Sequence, residues 1–510
     1  MVKKINNYIE NFLNNITMYR LVLYYLLVLL GASLLLSLFD LLPFNFIELF
    51  LSAGLLVGIG LAINTIFSKV FDAPTNLESI YITALILALI INPATSIVDL
   101  PFLLWAIVSS VASKFILAIH KKHIFNPAAI GVFLASMVTT KSATWWVGTI
   151  YMLPIIFLGG ILIVKKLKRI KMVFSFFLIS IAITLALSFI DKTNTFLVLK
   201  GVILYSPWLF FAFVMFIEPL TTPPTLKLQV FYATLVGLLF SSKVHFVSFY
   251  ITPELALLIG NVYSYIVSPK DKLLLKLQEQ VALSPNEYGF VFKPEKKLKY
   301  LPGQYMEWTL GHKNVDNRGN RRYFTLASSP TENEIMIGVK FYKNPSSYKK
   351  ELMSLGGDKK IVAAQLSGNF VMPKDASQKL VFIAGGIGIT PFRSMIKYLI
   401  DTNQKRPVTL FYSNNLESEI VYKNMFDEAT VKLGIKVVYT LTDKLNLPTN
   451  WQGKTEFVDS KMIIGEVPDY KERTFYISGP RSMVTVFEDV LSKLGIKPAH
   501  IKTDFFPGYT

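Results

Sequence analysis

The sequence of 510 residues contains no cysteine, five histidines and few charged residues. Without cysteine the chain forms no disulfide, no thiolate zinc site and no cysteine-ligated iron–sulfur cluster, so thiols carry no information about its redox compartment. Charged residues make up 17% of the chain, whereas an average soluble domain has roughly 25%. Hydrophobic residues make up 52% and the mean hydropathy is +0.45. This composition argues against an enzyme that is soluble throughout.

The net charge is +18, from 52 lysines and arginines against 34 acidic residues. Such a surplus occurs in nucleic-acid-binding proteins and also in membrane proteins with basic cytoplasmic loops. Because the apolar residues are concentrated in the first half, we favour the membrane interpretation. We expect no nucleic-acid partner and no metal site.

Ten apolar runs separated by short polar breaks extend to about Ser268. They lie at about 20–39, 46–67, 79–92, 101–119, 126–139, 147–164, 172–190, 195–217, 228–241 and 248–267. Several reach the roughly 20 residues that cross a hydrocarbon core, and others are shorter. Since no charged faces separate the runs, they predict a polytopic α-helical membrane domain at residues 1–268. This domain would have about ten transmembrane helices in contact with lipid.

The charges between the runs predict the orientation of this domain. Lys3 and Lys4 lie at the N-terminus, and residues 165–171 form a strongly basic loop. Alternating ten runs from an inside start places these segments in the cytoplasm, as the positive-inside rule requires. The sequence therefore predicts a multi-pass cell-membrane protein whose N-terminus and C-terminal half are both cytoplasmic.

Proline marks the ends of corresponding runs in the two halves of this domain. Asn92-Pro93 corresponds to Glu218-Pro219, and Asn126-Pro127 corresponds to Thr252-Pro253, in each case five runs apart. An odd offset inverts topology, so the pattern predicts an inverted 5+5 repeat. Its broken helix ends are expected to converge on one membrane site.

After Pro269 the pattern becomes that of a soluble protein. Short alternating runs such as Phe290–Phe292 predict an antiparallel β-barrel over residues 275–375. From Lys379 onward strands alternate with helical stretches, which predicts a parallel α/β domain over residues 376–510.

Five motifs follow one another in this half. They are Pro302-Gly303-Gln304-Tyr305, Arg322-Tyr323-Phe324-Thr325-Leu326-Ala327-Ser328, Gly385-Gly386-Ile387-Gly388-Ile389-Thr390-Pro391, Gly479-Pro480-Arg481-Ser482-Met483 and Phe505-Phe506-Pro507-Gly508-Tyr509. In this order and spacing they resemble the ferredoxin–NADP reductase superfamily. The resemblance implies an FAD-binding β-barrel domain, an NAD(P)-binding α/β domain and NAD(P)H-dependent flavin oxidoreductase activity.

The same resemblance implies roles around FAD. Arg322 would bind the flavin pyrophosphate, Phe324 would lie against the flavin, and Thr325 would hydrogen-bond the flavin N5 that accepts hydride. Ser346 and Ser347 would hold a phosphate at a helix N-terminus, unless they only cap that helix. Further cofactor contacts are implied for Gly303, Gln304 and Ser328.

The nucleotide is expected at two glycine turns. The residues implied are Gly385, Gly386, Gly388, Thr390, Pro391, Gly479, Pro480 and Met483. Residues 412–415 offer no basic side chain for a 2′-phosphate, which favours NADH over NADPH. An aromatic residue near the C-terminus would cover the flavin until nicotinamide displaces it; we predict Phe506, with Phe505 and Tyr509 as alternatives.

Two precedents exist for a reductase joined to membrane helices. The ferric reductase and NADPH oxidase type needs four histidines for two bis-histidine haems, and this half has only His120, His123 and His245. A two-haem conduit is therefore excluded.

The second precedent rests on three segments. Thr83–Leu89, Phe125–Gly131 and Phe216–Pro223 resemble the ten-helix, flavin-carrying membrane subunits of the Rnf complex (RnfD-like) and of the sodium-pumping NADH:quinone reductase. The resemblance implies FMN or another flavin in the membrane domain, with Asn126 and Glu218 at the site. It also implies Thr144 as a covalent flavin site, although residues 140–144 can equally be an ordinary loop.

Together these patterns predict a membrane-bound oxidoreductase. Electrons would pass from cytoplasmic NADH through FAD to a membrane flavin and on to an acceptor protein or quinone at or beyond the outer face. The alternatives are a redox-driven Na⁺ or H⁺ transporter and a reductase merely tethered to the membrane.

Overall fold

The computed structural model describes residues 8–9, 12–13, 16–71, 77–119, 122–241, 245–246, 249–268, 273–316, 318–356 and 359–504. The chain divides into two compact units, Met1–Lys270 and Asp271–Thr510.

The first unit is helical, and each of the ten apolar runs contains a helix. The helices are α1 (Met18–Leu38), α2 (Phe46–Val70), α3 (Leu77–Ile90), α4 (Leu100–Ile116), α5 (Pro127–Thr139), α6 (Leu153–Leu167), α7 (Ile170–Ile190), α8 (Thr195–Leu204), α9 (Trp208–Phe210), α10 (Leu226–Leu239) and α11 (Pro253–Val267). A π-helical turn, Phe211–Met215, continues α9.

Among the described residues, four helical segments are long and apolar enough to cross a membrane. They are Met18–Leu38, Phe46–Val70, Ile97–Ile116 and Ile170–Ile190. A fifth span results if Thr195–Leu204 and Trp208–Met215, which meet at 55°, count as one. The apolar helices α3, α5, α10 and α11 are shorter, at 13 to 15 residues. Helix length and composition therefore support four or five spans, fewer than the ten predicted.

The order of elements in this unit occurs twice. In the first half, α4 is followed by the two-residue strands Ala118–Ile119 and Lys122–His123 and then by α5. In the second half, α10 is followed by the strands His245–Phe246 and Phe249–Tyr250 and then by α11. Both α5 and α11 begin with proline after a capping residue whose side chain accepts a backbone N–H. The repeated order supports an internal repeat.

The second unit begins with a six-stranded antiparallel sheet. Its strands are β1 (Leu273–Ser284), β2 (Glu287–Lys293), β3 (Tyr305–Thr309), β4 (Arg321–Thr325), β5 (Ile335–Lys340) and β6 (Lys360–Ser367). They pair in the order β4-β3-β6-β1-β2-β5. The short helix α12 (Ser347–Met353) lies between β5 and β6 in the chain. Alternate residues of β5 are buried, as expected of a sheet with one face on the core.

A five-stranded parallel sheet follows. Its strands are β7 (Leu380–Gly385), β8 (Val408–Asn414), β9 (Lys436–Leu441), β10 (Thr474–Ser478) and β11 (Ile501–Asp504), in the order β9-β8-β7-β10-β11. The helices are α13 (Thr390–Asp401), α14 (Lys423–Leu433), α15 (Ser460–Glu466) and α16 (Arg481–Lys493). Every residue of β7 and β10 is buried, because separate apolar cores form on the two faces of the sheet. The predicted antiparallel domain followed by a parallel α/β domain is confirmed.

Candidate functional site

Three cationic side chains lie together beside the antiparallel sheet of the second unit. They belong to Arg318, Arg322 and Lys349, and we call them the cation cluster. The buried guanidinium of Arg322 on β4 lies 4.9 Å from the ring of Tyr348 and donates to the backbone oxygen of Arg318 at 2.7 Å. Burial, together with the charges of Arg322 and Arg318, lowers the pKa of Lys349 on α12 to about 8. Arg318 is itself paired with Asp316 at 2.9 Å. Cations held this closely attract an anion, and the planar fork of Arg322 matches phosphate oxygens. The donor set therefore fits the pyrophosphate of FAD.

Phe324 and Thr325 extend this site along β4. The ring of Phe324 lies 6.2 Å from that of Tyr348. The buried hydroxyl of Thr325 donates to Asp504 at 3.3 Å, at the end of β11. The structure thus brings Thr325 close to the last described residue of the chain. The predicted Phe506, with Phe505 and Tyr509, lies outside the described residues.

Ser346 and Ser347 open the seven-residue helix α12, as predicted. Ser346 is its N-cap, since its hydroxyl accepts the N–H of Lys349 at 3.3 Å. The N–H of Ser347 donates to the carboxylate of Asp316 at 2.9 Å, and its hydroxyl bonds His312 at 3.0 Å. Although partial burial opposes it, the backbone N–H bond from Ser347 holds the pKa of Asp316 below its usual range. Ser346 therefore caps the helix, whereas the hydroxyl of Ser347 bonds His312 and accepts the N–H of Asp316.

Gly303, Gln304 and Ser328 engage neighbouring protein groups. Gly303 has φ +93°, and a Cβ there would lie 2.1 Å from the backbone oxygen of Phe370. The amide oxygen of Gln304 accepts an N–H from within its own turn at 2.8 Å, and the hydroxyl of Ser328 accepts the N–H of Met336 at 3.0 Å. These residues fix the loops that precede β3 and follow β4.

The two glycine turns meet at one edge of the parallel sheet. Because β7 and β10 are neighbours in register, the residues after Ala384 and Ser478 lie side by side at the carboxyl edge. A Cβ at Gly388 would lie 2.4 Å from the backbone oxygen of Ser478, and a Cβ at Gly385 would lie 2.4 Å from the sulfur of Met483. A Cβ at Gly479 would also meet Met483, at 2.7 Å. These three glycines therefore allow the turns to pack.

Gly386 differs from its neighbours because space is open beside it. It has φ +52°, and the nearest atom to a Cβ there is Oε1 of Glu287, at 3.9 Å. The hydroxyl of Thr390 donates to the oxygen of Ile387, and Pro391 occupies the first turn of α13. Gly386 thus lies at the carboxyl edge of a parallel sheet and before a helix N-terminus, where α/β folds bind nucleotides. Pro480 is the N-cap of α16 at the second turn.

Glu287 is a residue of this site that the motifs did not indicate. Its carboxyl is fully buried, and its nearest cation is Lys340, at 3.3 Å. Lys340 also binds Glu419 at 3.2 Å. Burial raises the pKa of Glu287, and the charge of Lys340 opposes that rise. The only sequence signal is an acidic residue at the start of an otherwise apolar strand.

In the first unit, Asn126 and Glu218 are in contact. The Nδ2 of Asn126 donates to Glu218 at 2.8 Å, and the backbone N–H of Asn126 donates to the side chain of Asn261 at 2.8 Å. His123 lies 3.7 Å from the other oxygen of Glu218. Asn126 and Glu218 line a partly open cavity. The sequence indicated this pair, whereas Asn261, His123 and the cavity were missed.

The other predicted residues of this unit form a second cluster. The hydroxyl of Thr144 bonds the side chain of Asn92 at 2.6 Å, and the indole N–H of Trp145 donates to the buried carboxyl of Glu254 at 3.3 Å. The four proline-marked ends were predicted to converge on one site, and this prediction is wrong. Asn126 and Glu218 contact each other, whereas Asn92 and Glu254 contact Thr144 and Trp145. The ends therefore form two clusters, which we call the Asn126–Glu218 cluster and the Thr144–Glu254 cluster.

Comparisons with known proteins match the second unit. Residues 382–489 match the family model described as the oxidoreductase NAD-binding domain. The cytochrome b5 reductase domain of Ulva prolifera nitrate reductase, a solved structure, is 19% identical with a TM-score of 0.41, over 46% of this chain and 98% of that chain.

Curated relatives cover the same region. The flavohemoprotein of Bacillus thuringiensis subsp. konkukian is 28% identical over 231 residues, which are 43% of this chain and 56% of that protein. NADH-cytochrome b5 reductase 1 of Mortierella alpina is 27% identical over 236 residues, 45% of this chain and 77% of that protein. The chain spans little more than half the length of the flavohemoproteins that it matches. The family model and these relatives show that the C-terminal half is a ferredoxin-reductase-like, FAD- and NAD-binding oxidoreductase module.

Proposed function

We propose that the chain is a membrane-bound NADH oxidoreductase. It would pass electrons from cytoplasmic NADH through FAD to a carrier in the membrane and on to an acceptor protein or quinone at or beyond the outer face. One observation carries this proposal. The same chain that holds the reductase module also holds a helical unit in which a carboxamide and a carboxylate meet at a cavity. A membrane tether alone would need neither the polar pair nor the cavity.

The topology proposed for the helical unit is ten crossings in an inverted 5+5 repeat. The repeated order of elements and the resemblance to the Rnf membrane protein support it. By the positive-inside orientation, the Asn126–Glu218 cluster belongs to the cytoplasmic side and the Thr144–Glu254 cluster to the outer side. The short helices need no full span of their own where they end at such polar clusters inside the unit. Two polar clusters at opposite sides suit a carrier route across the membrane.

In the reductase module we assign FAD to the cation cluster. Bound FAD supplies a two-electron acceptor that can release electrons singly. Arg322, supported by Lys349, would neutralise the pyrophosphate, while Phe324 and Tyr348 would pack beside it. The hydroxyl of Thr325 would lie at flavin N5, and Phe506 would shield the flavin face. Gly303, Gln304 and Ser328 would hold the loops that enclose the cofactor.

We assign the nucleotide to the open turn at Gly386. Gly385, Gly388, Gly479 and Met483 would shape the turn by packing, and the N-terminus of α13 after Thr390 would face the phosphates. Residues 412–415, at the end of β8, carry no basic side chain. A 2′-phosphate would gain no ion pair from them, which supports NADH over NADPH.

For the membrane carrier we propose FMN or another flavin, or a quinone, at the Asn126–Glu218 cluster. The cavity combines apolar walls with a few polar groups, as small-molecule sites do. A flavin ring has both hydrogen-bond donors and acceptors at its edge, which Glu218, Asn126 and nearby hydroxyls can match. Thr144 in the second cluster is proposed as a covalent flavin site, because its hydroxyl lies in an exposed loop.

One observation favours the alternative of a redox-driven Na⁺ or H⁺ transporter. Glu254 is a buried carboxyl at the start of α11 with an indole N–H as its hydrogen-bond partner. Ionisable groups buried in membrane helices commonly mark ion pathways. In that case the reductase module would supply the energy for ion movement.

Replacing Arg322 with alanine is expected to release FAD. Charge-assisted hydrogen bonds contribute roughly 1.5–3 kcal/mol each, so the loss of one or more weakens binding by at least about tenfold. Flavin fluorescence after gel filtration measures the retained FAD. Arg321→Ala is the matched control, because Arg321 lies on the opposite face of β4 and pairs with Glu307 at 3.4 Å. Stoichiometric FAD in the Arg322 variant would place the pyrophosphate elsewhere.

The affinity for FAD is expected to fall as pH rises above about 8. The pKa of Lys349 is lowered to about 8 without an anion beside it. Phosphate favours the charged amine, so binding takes up a proton and weakens at a pH where the free amine is neutral, by at most about tenfold per pH unit. FAD titrations of the deflavinated protein at several pH values measure this. In Lys349→Arg, which keeps its charge, the dependence should disappear, and its persistence would assign it to another group.

Two glycine substitutions should separate binding from packing. Gly386→Asn is expected to raise the KM for NADH and leave the FAD content unchanged, because asparagine tolerates a positive φ and its side chain enters the open space at the turn. Gly388→Ala is expected to lower the unfolding temperature of the module, because its Cβ would lie 2.4 Å from a backbone oxygen. Steady-state kinetics and thermal unfolding are measured on both variants. An unchanged KM in Gly386→Asn would move the nucleotide away from this turn.

The purified full-length chain is expected to contain a second redox carrier besides FAD. Glu218→Gln and Asn126→Ala should lose this carrier and retain FAD, since only the membrane cluster is altered. Acid and solvent extraction, followed by chromatography, identifies flavin and quinone. Flavin that stays on the denatured chain and vanishes in Thr144→Val would identify the covalent site. A chain with one FAD and no other carrier, still active from NADH to an outer acceptor, would refute the proposed route.

A further inference from the structure

Three exposed lysines form a row across the antiparallel sheet of the reductase module. Lys276 on β1 lies directly opposite Lys360 on β6 and, on its other side, directly opposite Lys293 on β2. All three residues are exposed. Because neighbouring strands lie roughly 4.8 Å apart, this row, which we call the lysine ladder, sets three positive charges side by side.

The lysine ladder has no acidic partner within the part of the chain that the structure describes. None of its three lysines forms an ion pair or a hydrogen bond there. The nearest acidic residues along the strands, Glu279 on β1 and Glu334 directly before β5, form no ion pair with them either. Like charges directly opposite one another destabilise a sheet, so an anionic surface laid against the ladder would relieve a repulsion that is built into the module.

An exposed leucine extends the same face of β1. Leu274 lies two residues before Lys276, so both side chains point to one face of the sheet, and Leu274 is 40% exposed. Lysine stems can cover apolar surface while their ammonium groups reach polar surroundings. A face that combines a leucine with a row of lysines therefore suits the boundary between lipid chains and headgroups.

The position of β1 in the chain favours lipid as the anionic surface. Only residues 268–272 join α11 to β1, and an extended chain rises at most about 3.6 Å per residue. In the proposed topology α11 ends on the cytoplasmic side, where anionic lipids give the membrane a negative surface potential. A tether this short keeps headgroups at a high local concentration beside the module.

We propose that the lysine ladder, with Leu274 beside it, is the surface by which the reductase module docks on anionic lipid headgroups of the cytoplasmic leaflet. The inference rests on the proposed function, because it requires a chain that spans the membrane with its module on the cytoplasmic side. Each lysine close to an anionic surface contributes an attraction equivalent to about fivefold in binding, and salt screens it. Docking would limit the orientations that the tethered module samples.

The absence of cysteine allows a single reporter to be placed on this surface. Leu274→Cys provides one thiol for an environment-sensitive dye, and Val431→Cys, at an 86% exposed position on α14, is the matched control. The labelled full-length chain is reconstituted into lipid discs of phosphatidylcholine, with or without phosphatidylglycerol. We expect the dye on Leu274→Cys to report apolar surroundings only with phosphatidylglycerol. The signal should be lost in about 1 M salt, where the Debye length is about 3 Å, and the control dye should not respond.

Charge variants of the ladder identify the groups responsible. Combining Lys276→Gln, Lys293→Gln and Lys360→Gln removes three charges and should lower the ratio of docked to undocked module about a hundredfold. The corresponding triple arginine variant keeps the charges and should retain the dye signal. NADH oxidation with an artificial acceptor should be unchanged in both, which shows that the module is folded.

An equal dye signal in the two lipids, or a signal that persists in the triple glutamine variant, would overturn the inference. So would the same response to inorganic phosphate in detergent, which would make the ladder a site for free phosphate. A response in detergent alone would assign the contact to the chain itself, with the same consequence. The second redox carrier tests the proposed function separately. If that carrier is present and the dye does not respond, this inference alone fails, whereas a chain that does not enter the discs would overturn both.

Discussion

The helical unit depends on one constraint: a helix that ends inside apolar surroundings leaves polar backbone groups that must find partners within the protein. Asn126 provides partners for such groups at the start of α5. Its side chain caps α5 by accepting the N–H of Ala129, and its backbone N–H donates to Asn261 on α11. Its remaining amide donor reaches Glu218 after α9. One residue therefore ties together three segments that are far apart in the chain.

The same constraint explains why the unit has two polar clusters. The start of a helix has backbone N–H groups without partners in the helix, and the end of a helix has such C=O groups. Polar side chains from a neighbouring segment can satisfy them. The start of α5 lies beside the chain after α9, and Trp145, which follows α5, reaches the start of α11. In the repeated order of elements, each cluster thus combines segments from both halves. Polar groups from both halves are thereby placed beside one another.

In the reductase module, the controlling feature is the close approach of two turns at the edge of the parallel sheet. A side chain at Gly388 would collide with the backbone of Ser478 and Gly479, whereas the nearest atom to a Cβ at Gly386 is 3.9 Å away. The close packing at Gly388 fixes the turn in which Gly386 lies. Beside the other sheet, burial and the charges of Arg322 and Arg318 lower the pKa of Lys349, so a nearby anion would stabilise its charged form. Both features prepare the module for phosphate-bearing ligands before any ligand arrives.

The order of elements could be read from local patterns in the chain. The apolar runs located the helices of the first unit, and alternation and glycine turns located the two sheets of the second, because these patterns reflect local geometry and burial. The motifs also named Arg322, Gly386, Asn126 and Glu218 as candidate site residues. Which glycines pack, which one is open and which serine caps a helix became visible only in three dimensions. The same is true of the two clusters of proline-marked ends and of the position of Glu287 near Gly386. These facts depend on distances between residues remote in the chain, which no local pattern encodes.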